Sequence, residues 1–132
     1  MNLELDNWDA LLNQVSTLGK NVNRVENKAI RAGAAVALPI MKEEVPVSKI
    51  NKPGYVHMRD DIAVGRVKEV DGIKIAEVGP TTGKGGTRWR AHFLIKGTKN
   101  MPPNDFVLRT QQRALVQIRT AMIFELNKVL GI

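Results

Sequence analysis

Ile62-Ala63-Val64-Gly65-Arg66-Val67-Lys68-Glu69-Val70-Asp71-Gly72-Ile73-Lys74-Ile75-Ala76-Glu77-Val78 decides the fold of this chain. At its centre Asp71-Gly72 separates two runs rich in β-branched residues. Asp-Gly in that setting predicts a two-residue hairpin, because both central positions tolerate positive φ. On the outgoing strand Ile62, Val64, Arg66, Lys68 and Val70 alternate imperfectly with Ala63, Gly65, Val67 and Glu69; Ile73, Ile75 and Val78 mark the return. Upstream, Val45-Pro46-Val47-Ser48 and Lys52-Pro53-Gly54 read as an ordered loop over 45–58. A short helical turn around His57 to Asp61 leads into the sheet.

Helical periodicity flanks the hairpin on both sides. A first helix is predicted from an Asp6 N-cap, with Trp8, Leu11, Leu12, Val15 and Leu18 on one face and Gly19 as its stop. A second runs from about Asn21 to Glu44, with Val22, Val25, Ala29, Ala32, Val36 and Ile40 inward. Gly33-Ala34-Ala35 makes its middle slim, and Pro46 closes it. Pro39 cannot donate to Ala35, so a kink or break is expected there. After the hairpin, Pro80 to Thr87 is a flexible glycine-rich loop, and Trp89 to Ile95 is either a strand or a helical turn. Beyond Pro102-Pro103 a last helix spans about Asn104 to Leu130. Leu108, Leu115, Ile118, Met122, Leu126 and Val129 form its main stripe, with Val116, Ile123 and Leu130 beside it. So wide an apolar face predicts helix–helix packing together with a subunit interface. The fold class is α+β: one domain over 1–132, a small antiparallel sheet with a central hairpin, packed by long N-terminal and C-terminal helices.

Composition narrows the function. The 132 residues are 43% hydrophobic, enough for a real core and against intrinsic disorder. No stretch approaches the ~18 apolar residues of a membrane span. Glu4, Asp6 and Asp9 stand where a secretory signal would be basic, so none is expected. With no Cys there are no disulfides, thiolate metal sites or cysteine nucleophiles, and two His and two Ser remain for catalysis. No enzyme, cofactor, metal or small-molecule substrate is expected.

The formal charge of +7 is concentrated: residues 81–104 hold five bases and no acid. Such a run suits an anionic partner, a solvated loop or an acidic protein neighbour. Gly79-Pro80-Thr81-Thr82-Gly83-Lys84-Gly85 imitates a phosphate loop, but it has three residues between the glycines instead of four and Gly85 in place of the Ser or Thr after Lys. No helix clearly starts after it. Gly83-Lys84-Gly85-Gly86 fits a G-x-x-G clamp but follows a strand, whereas that clamp joins two helices. Trp89 between Arg88 and Arg90 can stack on a base, meet a protein partner, or anchor the loop in the core. His57 and His92 have no second ligand at metal spacing. Asp60-Asp61 reads as helix capping or salt bridging to Arg59 or Arg66.

The order of these features resembles one family. A long helix runs into Glu43-Glu44-Val45-Pro46-Val47-Ser48-Lys49, then Lys52-Pro53-Gly54 and His57-Met58-Arg59-Asp60-Asp61-Ile62. After the hairpin come Trp89-Arg90-Ala91-His92-Phe93-Leu94, Gly97-Thr98, Met101-Pro102-Pro103, Phe106 to Arg109, and the terminal helix. Over about residues 20–125 this is similar to the head–tail joining, or tail-completion, proteins of long-tailed bacteriophages, the gene-product-ten-like family. It departs at Leu94-Ile95-Lys96, where the family has an acid before Gly-Thr, and at Asp105 and Thr110-Gln111, where proline and Pro-Ala are common.

The resemblance implies a non-enzymatic virion protein at the neck or tail top, assembled in the bacterial host cytoplasm into a ring, commonly a hexamer. Its implied neighbours are the head-closure proteins and the tail tube or its terminator, with DNA passing through the ring. Lys84, Arg88, Trp89, Arg90 and Lys99 are the candidate partner-docking residues. The alternatives are a tail-terminator ring capping the tube, or a small basic nucleic-acid-binding module using Lys84, Arg88, Trp89 and Arg90.

Overall fold

A computed structural model of the chain describes residues 8–19 and 21–131. Helix α1 is Trp8–Thr17 and ends at Gly19; the predicted Asp6 cap lies outside the described residues. Helix α2, Val22–Glu44, begins where Asn21 Oδ1 accepts from the Arg24 amide at 3.1 Å, and stops at Val45 ahead of Pro46. It runs unbroken through Pro39. Ala35 and Pro39 both lie on its exposed side, so the carbonyl that loses its partner can bond water instead.

Helix α4, Phe106–Leu130, starts with the Asp105 carboxylate accepting from the Leu108 amide at 3.0 Å. It lies antiparallel to α2. At one end Arg109 and Arg113 meet Glu44 at 2.8 and 2.9 Å, and at the other Lys28 meets Glu125 at 3.8 Å. The pair forms the spine of the molecule. Its buried line is Ala29, Ile30, Gly33, Ala34, Ala37, Ile40 and Met41 on α2 against Phe106, Thr110, Ala114, Ile118, Met122 and Leu126 on α4. Along that line Gly33, Ala34, Ala37, Thr110 and Ala114 leave space that the larger Ile30, Ile40, Met41, Phe106, Ile118, Met122 and Leu126 fill. This corrects the predicted faces. Ala32 and Val36 are only half-buried, and Leu108, Leu115, Val116 and Ile123 are exposed. Thr110, fully buried, satisfies its hydroxyl on the Phe106 carbonyl at 2.7 Å.

The loop after α2 leads through a 3₁₀ turn, Met58–Asp61, into an interrupted hairpin of four short strands: β1 Ile62–Val64, β2 Lys68–Val70, β3 Ile73–Ile75 and β4 Val78–Pro80. Strands β2 and β3 pair across Asp71-Gly72, whose φ values of 53° and 79° are those the turn demands. Strands β1 and β4 pair below them. Gly65-Arg66-Val67 stands opposite only Ala76-Glu77, so the outgoing strand carries one extra residue: a bulge, pinned where the Gly65 amide donates to the Glu77 carbonyl at 2.8 Å. Ile62, Ile75, Ala76 and Val78 turn into the core and the hairpin lies along α2. At its far end Lys74 Nζ donates to the side chains of Asn23 and Asn27.

Candidate protein-docking site

The segment predicted to be a flexible loop is clipped shut. Asp61 accepts from the Thr81 amide at 3.1 Å and its hydroxyl at 2.5 Å, and from the Thr87 amide at 2.8 Å and its hydroxyl at 2.6 Å. The Arg88 amide then donates to the Thr81 carbonyl at 3.1 Å, so residues 81 and 87 are drawn together. Gly86 makes this approach possible, since a Cβ there would lie 2.3 Å from the Thr81 oxygen. Burial penalises the Asp61 charge, but the hydrogen bonds from Thr81 and Thr87 outweigh it and hold the carboxyl below its ordinary range. Asp61 therefore neither caps its own turn by charge alone nor pairs with Arg59 or Arg66, as its sequence position suggested.

From this clip starts helix α3, Arg88–Lys96, which resolves the open choice between strand and helical turn. A helix thus does follow the glycine loop. The Thr87 amide at its start is taken by Asp61 and the Arg88 amide by the Thr81 carbonyl, and neither is left for a phosphate. Ala91, Leu94 and Ile95 turn toward the core. Trp89 is 65% exposed and Phe93 43%, their rings edge-on at 6.5 Å, with the His92 ring tilted against Phe93 at 4.0 Å.

Opposite these aromatics runs the 45–58 loop. Arg90 ties the two sides together: Nη1 donates to the Tyr55 hydroxyl at 2.5 Å and Nη2 to the Val56 carbonyl at 2.6 Å. Its guanidinium also lies 5.0 Å from the Tyr55 ring centre, and His57 packs edge-on against that ring. Between loop and helix lies an apolar groove of about 380 Å³, walled by Pro46, Val47, Tyr55, Met58, Trp89 and Phe93 and floored in part by Met101. That volume is in the range of side-chain and small-ligand pockets.

The five sequence-predicted docking residues divide. Trp89 lines the groove and Arg90 braces it. Arg88 turns away, donating to the Pro80 carbonyl at 2.9 Å and pairing with Glu77 at 3.5 Å. Lys84 is exposed on the loop and Lys99 on the turn between α3 and α4, each without an ion pair among the described residues. Sequence reasoning missed Val47, Tyr55, Met58 and Phe93. The chain's one Tyr, in a loop with exposed valines, was the available signal. Among the described residues no three His, Cys, Asp or Glu side chains gather as metal ligands, and no helix is long and apolar enough to cross a membrane.

Comparison with curated proteins and with solved structures finds no match. A family model described as "Bacteriophage HK97-gp10, putative tail-component" matches residues 9–97, about two thirds of the chain, from α1 to the end of α3. The match begins earlier than the resemblance read from the motifs and stops short of Met101-Pro102-Pro103 and α4. Since that match covers more than half of the sequence, the chain belongs to the HK97-gp10-like family of bacteriophage tail components.

Proposed function

We propose that this tail component acts at the neck of a long-tailed phage, forming a ring, commonly of six copies, that joins the DNA-filled head to the tail. The observation that carries this reading is the apolar surface left over once the core is built. On α4, Leu108, Leu115, Val116 and Ile123 fall within about a quarter of the helix circumference and face solvent. The α3 groove is a second such surface, at the end of the molecule where α2 stops. Monomeric proteins seldom expose two separate patches of this kind. Contacts between copies and contacts with the head-closure ring and the tail tube or terminator would cover them. Assembly would take place in the bacterial host cytoplasm, and Lys84 and Lys99 would face acidic neighbours.

Binding to nucleic acid is the weaker reading. Arg88, which that role would need for phosphates, is engaged by the Pro80 carbonyl and Glu77. A tail-terminator ring would use the same surfaces but cap the tube. Electron microscopy of lysates from phage lacking this gene separates these roles. Joining predicts DNA-filled heads beside separate tails of normal length, which unite when purified protein is added. Intact virions without the gene would overturn it, and tails of uncontrolled length would indicate the terminator role.

A further inference from the structure

The groove has a complement on the same chain. At the hairpin tip Val70 is 45% and Ile73 51% exposed, flanking Asp71 and next to Glu69. Neither flanking base pairs with Glu69 or Asp71: Lys68 is paired with Glu77 at 3.3 Å, and Lys74, although it stands across from Glu69, directs its ammonium to Asn23 and Asn27 on α2. The tip is therefore apolar and acidic. The groove is apolar and basic: Arg90 donates to a phenol and a carbonyl and lies over the Tyr55 and Trp89 rings, with no carboxylate paired to it among the described residues. Lys96 continues the Trp89–Phe93 row at helical spacing, and neither it nor Lys99 has an ion pair among the described residues.

Within one chain the two cannot meet. The tip is fastened to Asn23 and Asn27 at the start of α2, while Pro46 and Val47 open the groove just past its end. Asn27 and Glu44 are separated by roughly 25 Å of helix. Between copies the two surfaces can meet, because a patch and its complement at opposite ends make a head-to-tail contact. A contact of that type closes into a ring when its rotation permits.

We infer that the Glu69-Val70-Asp71-Gly72-Ile73 tip of one copy seats in the Trp89–Tyr55 groove of the next, and that this contact builds the ring. The inference deepens the ring reading and rests on it. Val70 and Ile73 occupy the apolar floor, and Glu69 and Asp71 meet Arg90, Lys96 and Lys99. Of the other acids, Glu43, Glu44, Asp61, Glu77 and Glu125 are already engaged internally.

The absence of cysteine makes the test clean. A Val70→Cys, Trp89→Cys double variant, and independently an Ile73→Cys, Phe93→Cys double variant, are used to complete deletion-phage particles and then oxidised. The expected result is a ladder of covalently linked copies on non-reducing gels, absent from each single variant. Incorporated protein that yields no ladder from either pair overturns the inference, as does disulfide-independent photocross-linking from position 93 to another virion protein or to DNA. In solution, Trp89→Ala should weaken self-association roughly 10-fold or more. Glu69→Lys should weaken it too, and Lys99→Glu should restore part of that loss. Rings that persist unchanged in Trp89→Ala would sink the tip-in-groove contact while leaving the ring itself standing. Protein present in particles only as single copies would remove the ring reading as well.

Discussion

Along the α2–α4 contact apolar groups face inward and charges pair off at the rim, whereas around α3 a polar clip lies beside an exposed aromatic row. The spine buries Met41, Phe106, Met122 and Leu126 and closes its end with Glu43 and Glu44 against Arg109 and Arg113. In the α3 quarter Ala91, Leu94 and Ile95 pack inward, but a polar clip, Asp61 with Thr81 and Thr87, sets the start of the helix, and Trp89 and Phe93 face outward. Holding an aromatic row in water costs stability and contributes none to the fold of one chain. The hydrogen-bonded clip fixes where the row begins. The spine thus buries the largest apolar groups, and the α3 quarter presents a preformed surface whose aromatic row faces solvent.

Substitutions can break this contrast or sharpen it. The largest loss is expected in the spine. Leu126→Ala deletes a fully buried side chain and should cost about 2–5 kcal/mol in denaturant unfolding, with particle assembly falling only as far as the fold does. Gly86→Ala comes next, at about 2–3 kcal/mol, because the new methyl meets the Thr81 backbone and the clip must open. Faster hydrogen exchange at the Thr81 and Thr87 amides, with α4 amides protected, would locate that loss.

Asp61→Asn should cost about 1–3 kcal/mol at neutral pH. It should also change the response to acid. The Asp61 carboxyl titrates lower folded than unfolded, so its contribution is complete above the unfolded value of about 4 and is lost as pH falls through the lower folded value. Glu44, held down chiefly by the Arg109 hydrogen bond and then by Arg113, loses its contribution in the same direction. The wild-type protein should therefore weaken steadily below about pH 4, and Asp61→Asn should show a shallower slope there. The smallest stability effect belongs to the outward residues. Trp89→Ala and Val116→Ser, at 65% and 73% exposed positions, should each shift stability by no more than ~0.5 kcal/mol.

What the sequence revealed follows the range of the interactions involved. The Asp71-Gly72 turn, the Asn21 start of α2 and its end before Pro46 are local, and each was legible from a few adjacent residues. The buried face of α4 was legible only in its second half: Ile118, Met122 and Leu126 are buried as the stripe predicts, whereas Leu108 and Leu115 are exposed and Phe106, Thr110 and Ala114 face α2 instead. The clip was hidden because Asp61 acts on Thr81, twenty residues later. The groove was half visible. Trp89 and Arg90 stood out in a basic run, while the wall they face comes from Val47 and Tyr55, which only the Arg90–Tyr55 hydrogen bond brings opposite.

Joining of heads to tails, counted by electron microscopy after adding purified protein to deletion lysates, tests the joining role most directly when wild type is run beside Trp89→Ala. A neck ring docked through its α3 groove predicts that wild type restores joined particles. Trp89→Ala, with unchanged circular dichroism and melting temperature, should restore roughly 10-fold fewer or none. Equal joining by the two proteins would contradict it.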